Sequence, residues 1–209
     1  MTSPVRMKRK DLEIALQRVR GFGSPEASLE QYQTPATIAA DLLFFAFSMG
    51  DIAGKTVVDL GCGTGILGIG ASLLGADRVI GIDVDETAVR VAAENADMLG
   101  ANIDWVVSEV EGFHADVDTV VMNPPFGAQR RHADRPFLEK AIEISSVVYS
   151  LHLAGTEDFV KKLVSSTGSS CEIQKRYKFE IPHTFAFHTK AKAHVEVALF
   201  RIETQGETR

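Results

Sequence analysis

The chain has 209 residues, 45% hydrophobic and 24% charged, with a formal net charge of −6. That is one large domain, or one domain with arms, long enough to bury a core without disulfide staples. It excludes a wholly disordered or collagen-like chain, and no apolar run approaches the roughly 18–20 residues of a membrane span.

Residues 1–33 are polar and basic (Arg6, Lys8, Arg9, Lys10) and read as an N-terminal extension. Within it Leu12, Leu16 and Val19 recur at helical spacing, predicting a short amphipathic helix over 11–20. No apolar signal core follows the basic start, so a cytoplasmic protein is expected. Thr34 reads as an N-cap with Pro35 at the first helical position, opening a helix to about Met49 that Gly50 ends. This helix carries the longest apolar patch, residues 42–47, expected to be core. Residues 56–60 form a β-branched strand; a glycine turn and an apolar helix over 66–74 follow. A second strand spans 78–83, and Asp85 or Thr87 opens a helix ending near Gly100. Strands are expected at 103–107 and 119–122, the latter stopped by Pro124 and Pro125. A helix over 136–146, a strand over 147–151 and a helix over 156–164 come next. Two longer strands, 171–181 and 194–202, are separated only by a loop and should pair antiparallel. The alternation predicts an α/β fold with a mostly parallel sheet of about seven strands, an antiparallel last strand and helices on both faces. The domain is expected over 34–203, with a frayed tail at 204–209.

The charge is uneven. Residues 51–120 hold 13 acids and three bases, a net of −10, which leaves +4 for the rest of a chain whose total is −6. The middle is acidic and the flanks are mildly basic. Taken whole, the charge argues against a nucleic-acid partner; divided along the chain, it does not.

Asp59, Gly61, Cys62, Gly63 and Gly65 join the first strand to the following helix. Glycines there let the backbone turn sharply and approach a ligand, with helix amides facing it. Asp83 closes the next strand and can accept both hydroxyls of a ribose, the logic of a nucleoside cofactor in a doubly wound sheet. Gly63, Gly65 and Gly68 also satisfy the dinucleotide pattern Gly-x-Gly-x-x-Gly. But the glycines begin at Gly61, directly after a strand carrying Asp59, and an acid at that strand end repels a pyrophosphate and attracts a cation. The acidic middle agrees with S-adenosyl-L-methionine, which carries a sulfonium, an ammonium and no phosphate.

The run from Asp59 to Gly65, with Asp83, resembles the class I S-adenosylmethionine-dependent methyltransferases, whose fold is a Rossmann-like sheet. The resemblance implies that the Asp59-to-Gly65 loop holds the methionine part, Asp83 the ribose and Glu109 the adenine edge, with Val84 against the adenine face. The family more often has Asp at the position of Glu109.

Asn123, Pro124, Pro125 and Phe126 end the fourth strand, at the carboxyl edge of the sheet beside that cofactor. An exocyclic nitrogen conjugated to a ring is a poor nucleophile. Two acceptors aimed at its two N–H bonds, the Asn123 side-chain oxygen and the Pro124 carbonyl, would draw it toward a tetrahedral state. Phe126 can stack on the planar group. Transfer is then an in-line displacement governed by orientation and electrostatics, with no dedicated base. The tetrapeptide resembles the amino-methyltransferase signature used on adenine, cytosine or glutamine nitrogen, and its Phe form leans toward adenine N6 in RNA.

A closer resemblance rests on residues 29–35 (Leu-Glu-Gln-Tyr-Gln-Thr-Pro), Phe137-Leu138, residues 149–152 (Tyr-Ser-Leu-His), residues 187–190 (Phe-His-Thr-Lys) and residues 195–197 (Val-Glu-Val). Together these are similar to the archaeal and eukaryotic methyltransferase-like family that makes N6-methyladenosine in small-subunit ribosomal RNA. It implies that Gln31, Tyr32 and Thr34 border the cofactor and the site entrance, and that a small zinc-binding activator protein is a partner. Arg130, Arg131 and Arg135 follow the tetrapeptide, and Phe187, His188 and Lys190 lie in the late loop, as cations for phosphate and aromatics for unpaired bases. Lys175, Arg176 and Lys178 could extend that patch or be solvated charge. Cys62 and Cys171 are too few for a four-thiolate zinc site, and the spacing of His183, His188 and His194 fits no zinc pattern, so no metal is expected.

Three rivals stand beside an RNA adenine-N6 methyltransferase. A protein glutamine-N5 methyltransferase usually carries a helical N-terminal domain and Tyr in place of Phe126. A nicotinamide-dependent oxidoreductase leaves Asp59 and the tetrapeptide without a role. A silent binding subunit has no need of the intact set.

Overall fold

The computed structural model describes residues 7–23, 25, 26, 29–127, 132–181 and 193–205. The elements are α1 (Arg9–Leu16), α2 (Ala36–Ser48), β1 (Thr56–Leu60), α3 (Ile66–Leu73), β2 (Arg78–Asp83), α4 (Glu86–Leu99), β3 (Asp104–Val107), β4 (Val117–Met122), α5 (Arg135–Ile144), β5 (Ser145–Leu153), α6 (Glu157–Ser166), β6 (Ser170–Ile181) and β7 (Ala193–Glu203).

The β-branched runs build a seven-stranded sheet in the order β3-β2-β1-β4-β5-β7-β6. β1 through β5 are mutually parallel, and β7 runs antiparallel between β5 and β6. The expected fold class holds. Because β1 pairs parallel with both β2 and β4, the chain order reverses at their shared carboxyl edge, where a crevice opens in such sheets.

Side-chain alternation explains why both faces are covered. Val57, Val121, Leu151 and Leu199 point to one side, where Leu12, Leu16, Leu42, Leu43 and Ile69 of α1–α3 meet them. Val58, Leu60, Val120 and Phe200 point to the other, against Leu138 of α5 and Val160 and Val164 of α6. The apolar stretch of α2 is largely core: Leu42, Leu43 and Ala46 are buried, and Phe44, Phe45 and Phe47 pack against the same cluster.

Several expected boundaries shift by a residue or two, and two changes concern the N-terminal segment. α1 ends at Leu16, not Arg20, and residues 17–19 continue as a turn held by the Arg18 N–H on the Ala15 carbonyl and the Val19 N–H on the Leu16 carbonyl. Pro35, not Thr34, is the N-cap of α2, and no side chain caps that end. At α4, by contrast, Asp85 is the cap and accepts from the Thr87 N–H at 2.8 Å, while Gly100 ends the helix left-handed. Among the described residues no helix is long and apolar enough to cross a membrane.

Candidate active site

A cavity of about 540 Å³ opens at the carboxyl edge of β1, β2 and β4, within the size range of small-molecule sites. Its floor is the turn after β1. Gly61, Gly63 and Gly65 all have positive φ (74°, 53° and 86°), which an L side chain adopts only with strain. The Gly61 and Cys62 N–H groups both donate to the Ile82 carbonyl at 2.8 Å, locking the turn onto β2. The Gly63 N–H donates to Asp83 Oδ2 at 2.8 Å, and the Asp85 N–H donates to Asp83 Oδ1 at 3.0 Å. Asp59 Oδ2 accepts from the Gly68 N–H in the first turn of α3 at 2.7 Å.

Both carboxyls are held out of water. Burial pushes Asp59 up to about 7, against the opposing pull of the Gly68 N–H and with a further push from Asp83. Burial likewise raises Asp83, against the Asp85 and Gly63 amides. Two desolvated carboxyls at one cavity wall form a site that gains from a cation and resists a pyrophosphate. Gly61, Cys62, Gly63, Val84 and Glu109 also line the cavity. Val84 and Glu109 stand exposed at its rim.

Gly65 does not line it. A Cβ there would come within 2.8 Å of the Trp105 ring and 3.0 Å of the Ala92 Cβ. Gly65 serves close packing of the turn against α4 and β3.

The opposite wall is the tetrapeptide with a strap from the N-terminal segment laid across it. Thr34, read from sequence as a cap, instead turns its hydroxyl to the tetrapeptide: Asn123 Nδ2 donates to Thr34 Oγ1 at 3.0 Å. Asn123 Oδ1 is buried and has no hydrogen-bond partner among the described residues. The Tyr32 hydroxyl donates to the Pro124 carbonyl at 3.4 Å, a long bond. Burial pushes that phenol well up, and nearby Glu30 adds to the shift. Gln31 Nε2 donates to Asp85 Oδ2 at 2.7 Å, linking the strap to the start of α4. Asn123 and Pro125 line the cavity. Phe126 is largely buried, its ring 4.9 Å from Tyr32 and 5.8 Å edge-on to Phe179, so in this structure it is part of an aromatic cluster and not open to the cavity.

Three comparisons identify this architecture. The family model for Ribosomal protein L11 methyltransferase (PrmA) matches residues 39–124. The rRNA N(6)-adenosine-methyltransferase METTL5 of Danio rerio is 37% identical over 93% of this chain and 98% of its own. Mettl5 of Drosophila melanogaster is 37% identical over 95% and 97%. The chain belongs to the METTL5 family. The crystal structure of PH1948 from Pyrococcus horikoshii, a candidate RNA methyltransferase, superposes with a TM-score of 0.88 at 45% identity, covering 98% of this chain and 99% of that one. The chain is therefore a methyltransferase with the fold expected from its sequence.

Within this METTL5-family site, several participants were given no role by the sequence, although Phe137 is among the residues that carry the resemblance. Phe22 lines the cavity, and a Cβ on Gly63 would come 2.9 Å from its ring. Phe137 of α5 covers Gly61 from the other side. Asn95 of α4 accepts from the Arg20 N–H and donates to the Arg20 and Thr64 carbonyls, each at 3.0 Å, stitching the N-terminal segment to the glycine turn. Helical periodicity could not find these residues, because each acts across the fold.

The basic residues divide. Arg135 is exposed and its Nε lies 2.8 Å from Glu139 Oε1 on α5, so its charge is engaged on its own helix. Lys175 is bound to Asp41 at 2.8 Å and lies over the Phe45 ring, and Arg176 is paired with Glu157 and Glu196. Those two read as packing and ion pairing. Arg130, Arg131, Phe187, His188 and Lys190 lie outside the described residues.

Proposed function

We propose that this protein transfers a methyl group from S-adenosyl-L-methionine to the N6 of an adenine in RNA, specifically small-subunit ribosomal RNA. The observation that carries the reading is Asn123: one end of its amide is committed to Thr34, and the other, Oδ1, is a buried acceptor with no partner beside the cavity. An exocyclic amine with two N–H donors fits that acceptor together with the Pro124 carbonyl. Leaving Oδ1 unmatched in the absence of substrate is costly, which suits a group whose partner is the reacting nitrogen. The names of the METTL5 relatives support adenosine as the acceptor.

The cavity fits the cofactor on its chemistry: two desolvated carboxyls, at Asp59 and Asp83, for a molecule with cationic groups and ribose hydroxyls. When bound, S-adenosyl-L-methionine supplies an electrophilic methyl on its sulfonium. In this reading Asp59 and the 61–63 turn face the methionine part, Asp83 and Gln31 the ribose end, and Val84 and Glu109 the adenine rim. Asn123 Oδ1 and the Pro124 carbonyl hold the acceptor amine by its two N–H bonds and aim its lone pair. The Tyr32 hydroxyl on the Pro124 carbonyl is long enough to give way to a better donor. Phe126 must turn out of its cluster with Tyr32 and Phe179 to stack on the acceptor base, and the Arg130–Arg131 segment that follows supplies positive charge for the RNA backbone.

The reading includes a small zinc-binding activator protein as partner and a cytoplasmic setting. β3, an edge strand of the sheet with Val107 exposed on it, is a place where a partner strand would pair.

The test is Asn123→Ala: calorimetry should give cofactor affinity within about twofold of wild type, while turnover on ribosomal RNA falls by about a hundredfold or more. Equal turnover would remove Asn123 from the mechanism.

A further inference from the structure

Three buried polar side chains outside the cavity form a line behind the tetrapeptide. His152 Nδ1 lies 3.0 Å from Asp134 Oδ2, and His152 Nε2 lies 2.7 Å from Ser150 Oγ. Asp134, His152 and Ser150 are 5%, 1% and 0% exposed. The atoms follow the order of a hydrolytic serine triad, but Ser150 is sealed in the sheet and none of the three lines the cavity. No substrate reaches that hydroxyl, so nucleophilic chemistry is not its use.

What the line joins is two pieces of chain. Ser150 and His152 sit on β5, and Ser150 is the register partner of Met122, the residue before Asn123. Asp134 heads α5, at the far end of the segment that leaves the tetrapeptide at Gly127. The near end of that segment is held by a second buried carboxylate: Glu30 Oε2 accepts from the Gly127 N–H at 3.1 Å. Glu30 takes a φ of 50°, unusual for a residue with a side chain, and Gly127 one of 80°. Strain of that kind persists where the surroundings enforce it, often at functional sites. The His152 ring is fixed on its remaining side by Phe200, edge-on at 5.7 Å. Buried ionisable groups are costly unless paired, and apolar side chains of similar volume would serve cohesion as well or better. A hydrogen-bonded line between two segments gives definite geometry instead.

We propose that Asp134, His152 and Ser150 are positioning residues for methyl transfer. They dock the start of α5 onto β5, whose Ser150 is in register with Met122, so that Asn123 and Pro124 stay aligned on the acceptor nitrogen. The His152 Nδ1–H donates to the Asp134 carboxylate, and the Ser150 hydroxyl donates to Nε2, a tautomer that matches both ring nitrogens. The inference rests on the reading of Asn123 and Pro124 as the acceptor-binding pair.

The experiment measures Asp134→Ala, Asp134→Asn, His152→Phe and Ser150→Ala beside wild type. Three quantities are read: kcat and KM on small-subunit RNA, Kd for S-adenosyl-L-methionine by calorimetry, and amide hydrogen exchange by NMR. Asp134→Ala and His152→Phe should lower kcat by about tenfold or more, with KM changed less and cofactor Kd within about twofold. Asp134→Asn, which can still accept from Nδ1–H, should recover most of the loss. Exchange should quicken at Gly127 and Arg135 and stay unchanged at Val58 and Ile80 in the central strands. Wild-type kcat in a folded variant, or a loss of cofactor affinity in step with kcat, overturns the proposal. If the larger changes prevent folding, Ser150→Ala, which removes one oxygen from the core, carries the same test with a several-fold loss. Failure of wild type itself to methylate RNA overturns the acceptor reading alone. The exchange rates then decide the positioning role, and wild-type rates at Gly127 and Arg135 count against it.

Discussion

Asn123 Nδ2 donates to Thr34 Oγ1 at 3.0 Å, and the end of the amide left without a partner is the acceptor, Oδ1. A residue from the N-terminal segment thus holds one end of a side chain at the end of β4. Thr34→Val keeps the shape and removes the oxygen. An unmatched buried donor costs about 1–3 kcal/mol, enough to let the amide turn over. Turnover should fall by about ten- to a hundredfold, and Thr34→Ser should restore it. Single-turnover methyl transfer checks both variants.

Asp83 is tied to the Gly63 and Asp85 amides, so its loss removes a ribose acceptor and also frees the turn. Asp83→Ala should weaken S-adenosyl-L-methionine by about ten- to a hundredfold or more, since each hydrogen bond to a charged group is worth about 1.5–3 kcal/mol. Isothermal calorimetry checks this. Binding of NADH by wild type would contradict the choice of cofactor.

Asp59 supplies a pH dependence with a definite sign. Its folded value is pushed up to about 7 by burial, above the roughly 3.9 of an exposed Asp. The contribution of this group to stability is full below about pH 4 and is lost as pH rises to about 7, because the unfolded chain gives up the proton first. A cationic cofactor prefers the ionised form, so its affinity should rise between about pH 5.5 and 7.5 and its binding should release protons at the lower end. Calorimetry in two buffers of different ionisation enthalpy measures both effects. A flat affinity profile contradicts the role given to Asp59.

Gly81 lies on β2 beneath the single tryptophan of the chain, and a Cβ on it would collide with the Trp105 ring. Gly81→Ala should destabilise the fold by about 1–3 kcal/mol, the range for overpacking, and alter Trp105 emission. Urea unfolding followed by that fluorescence gives the number. An unchanged midpoint contradicts this packing.

The sheet, the glycine turn and the tetrapeptide were readable because each is written in neighbouring residues. The runs at 56–60 and 117–122 are β-branched, and Asp59, Asp83 and Asn123 all sit at strand ends that the alternation brings to one edge. Thr before Pro fits a helix cap equally well, so the site role of Thr34 was implied only by the resemblance, and only the fold brings Asn123 to it. In sequence, a glycine kept for packing, as Gly65 is against Trp105, looks the same as one kept for a ligand. The Asp134–His152–Ser150 line spans two elements: Ser150 and His152 are polar residues in a largely apolar strand, and Asp134 is one charge among many in a polar stretch. Periodicity treats such residues as noise; burial and distance make them a network.

The central claim is tested most directly by incubating the protein with radiolabelled S-adenosyl-L-methionine and isolated small ribosomal subunits, total RNA and release factor in parallel. The labelled material is then digested to nucleosides or amino acids and the methylated product identified. The account predicts label in small-subunit RNA, recovered as N6-methyladenosine and lost in Asn123→Ala. Label confined to protein, recovered as N5-methylglutamine, would contradict it.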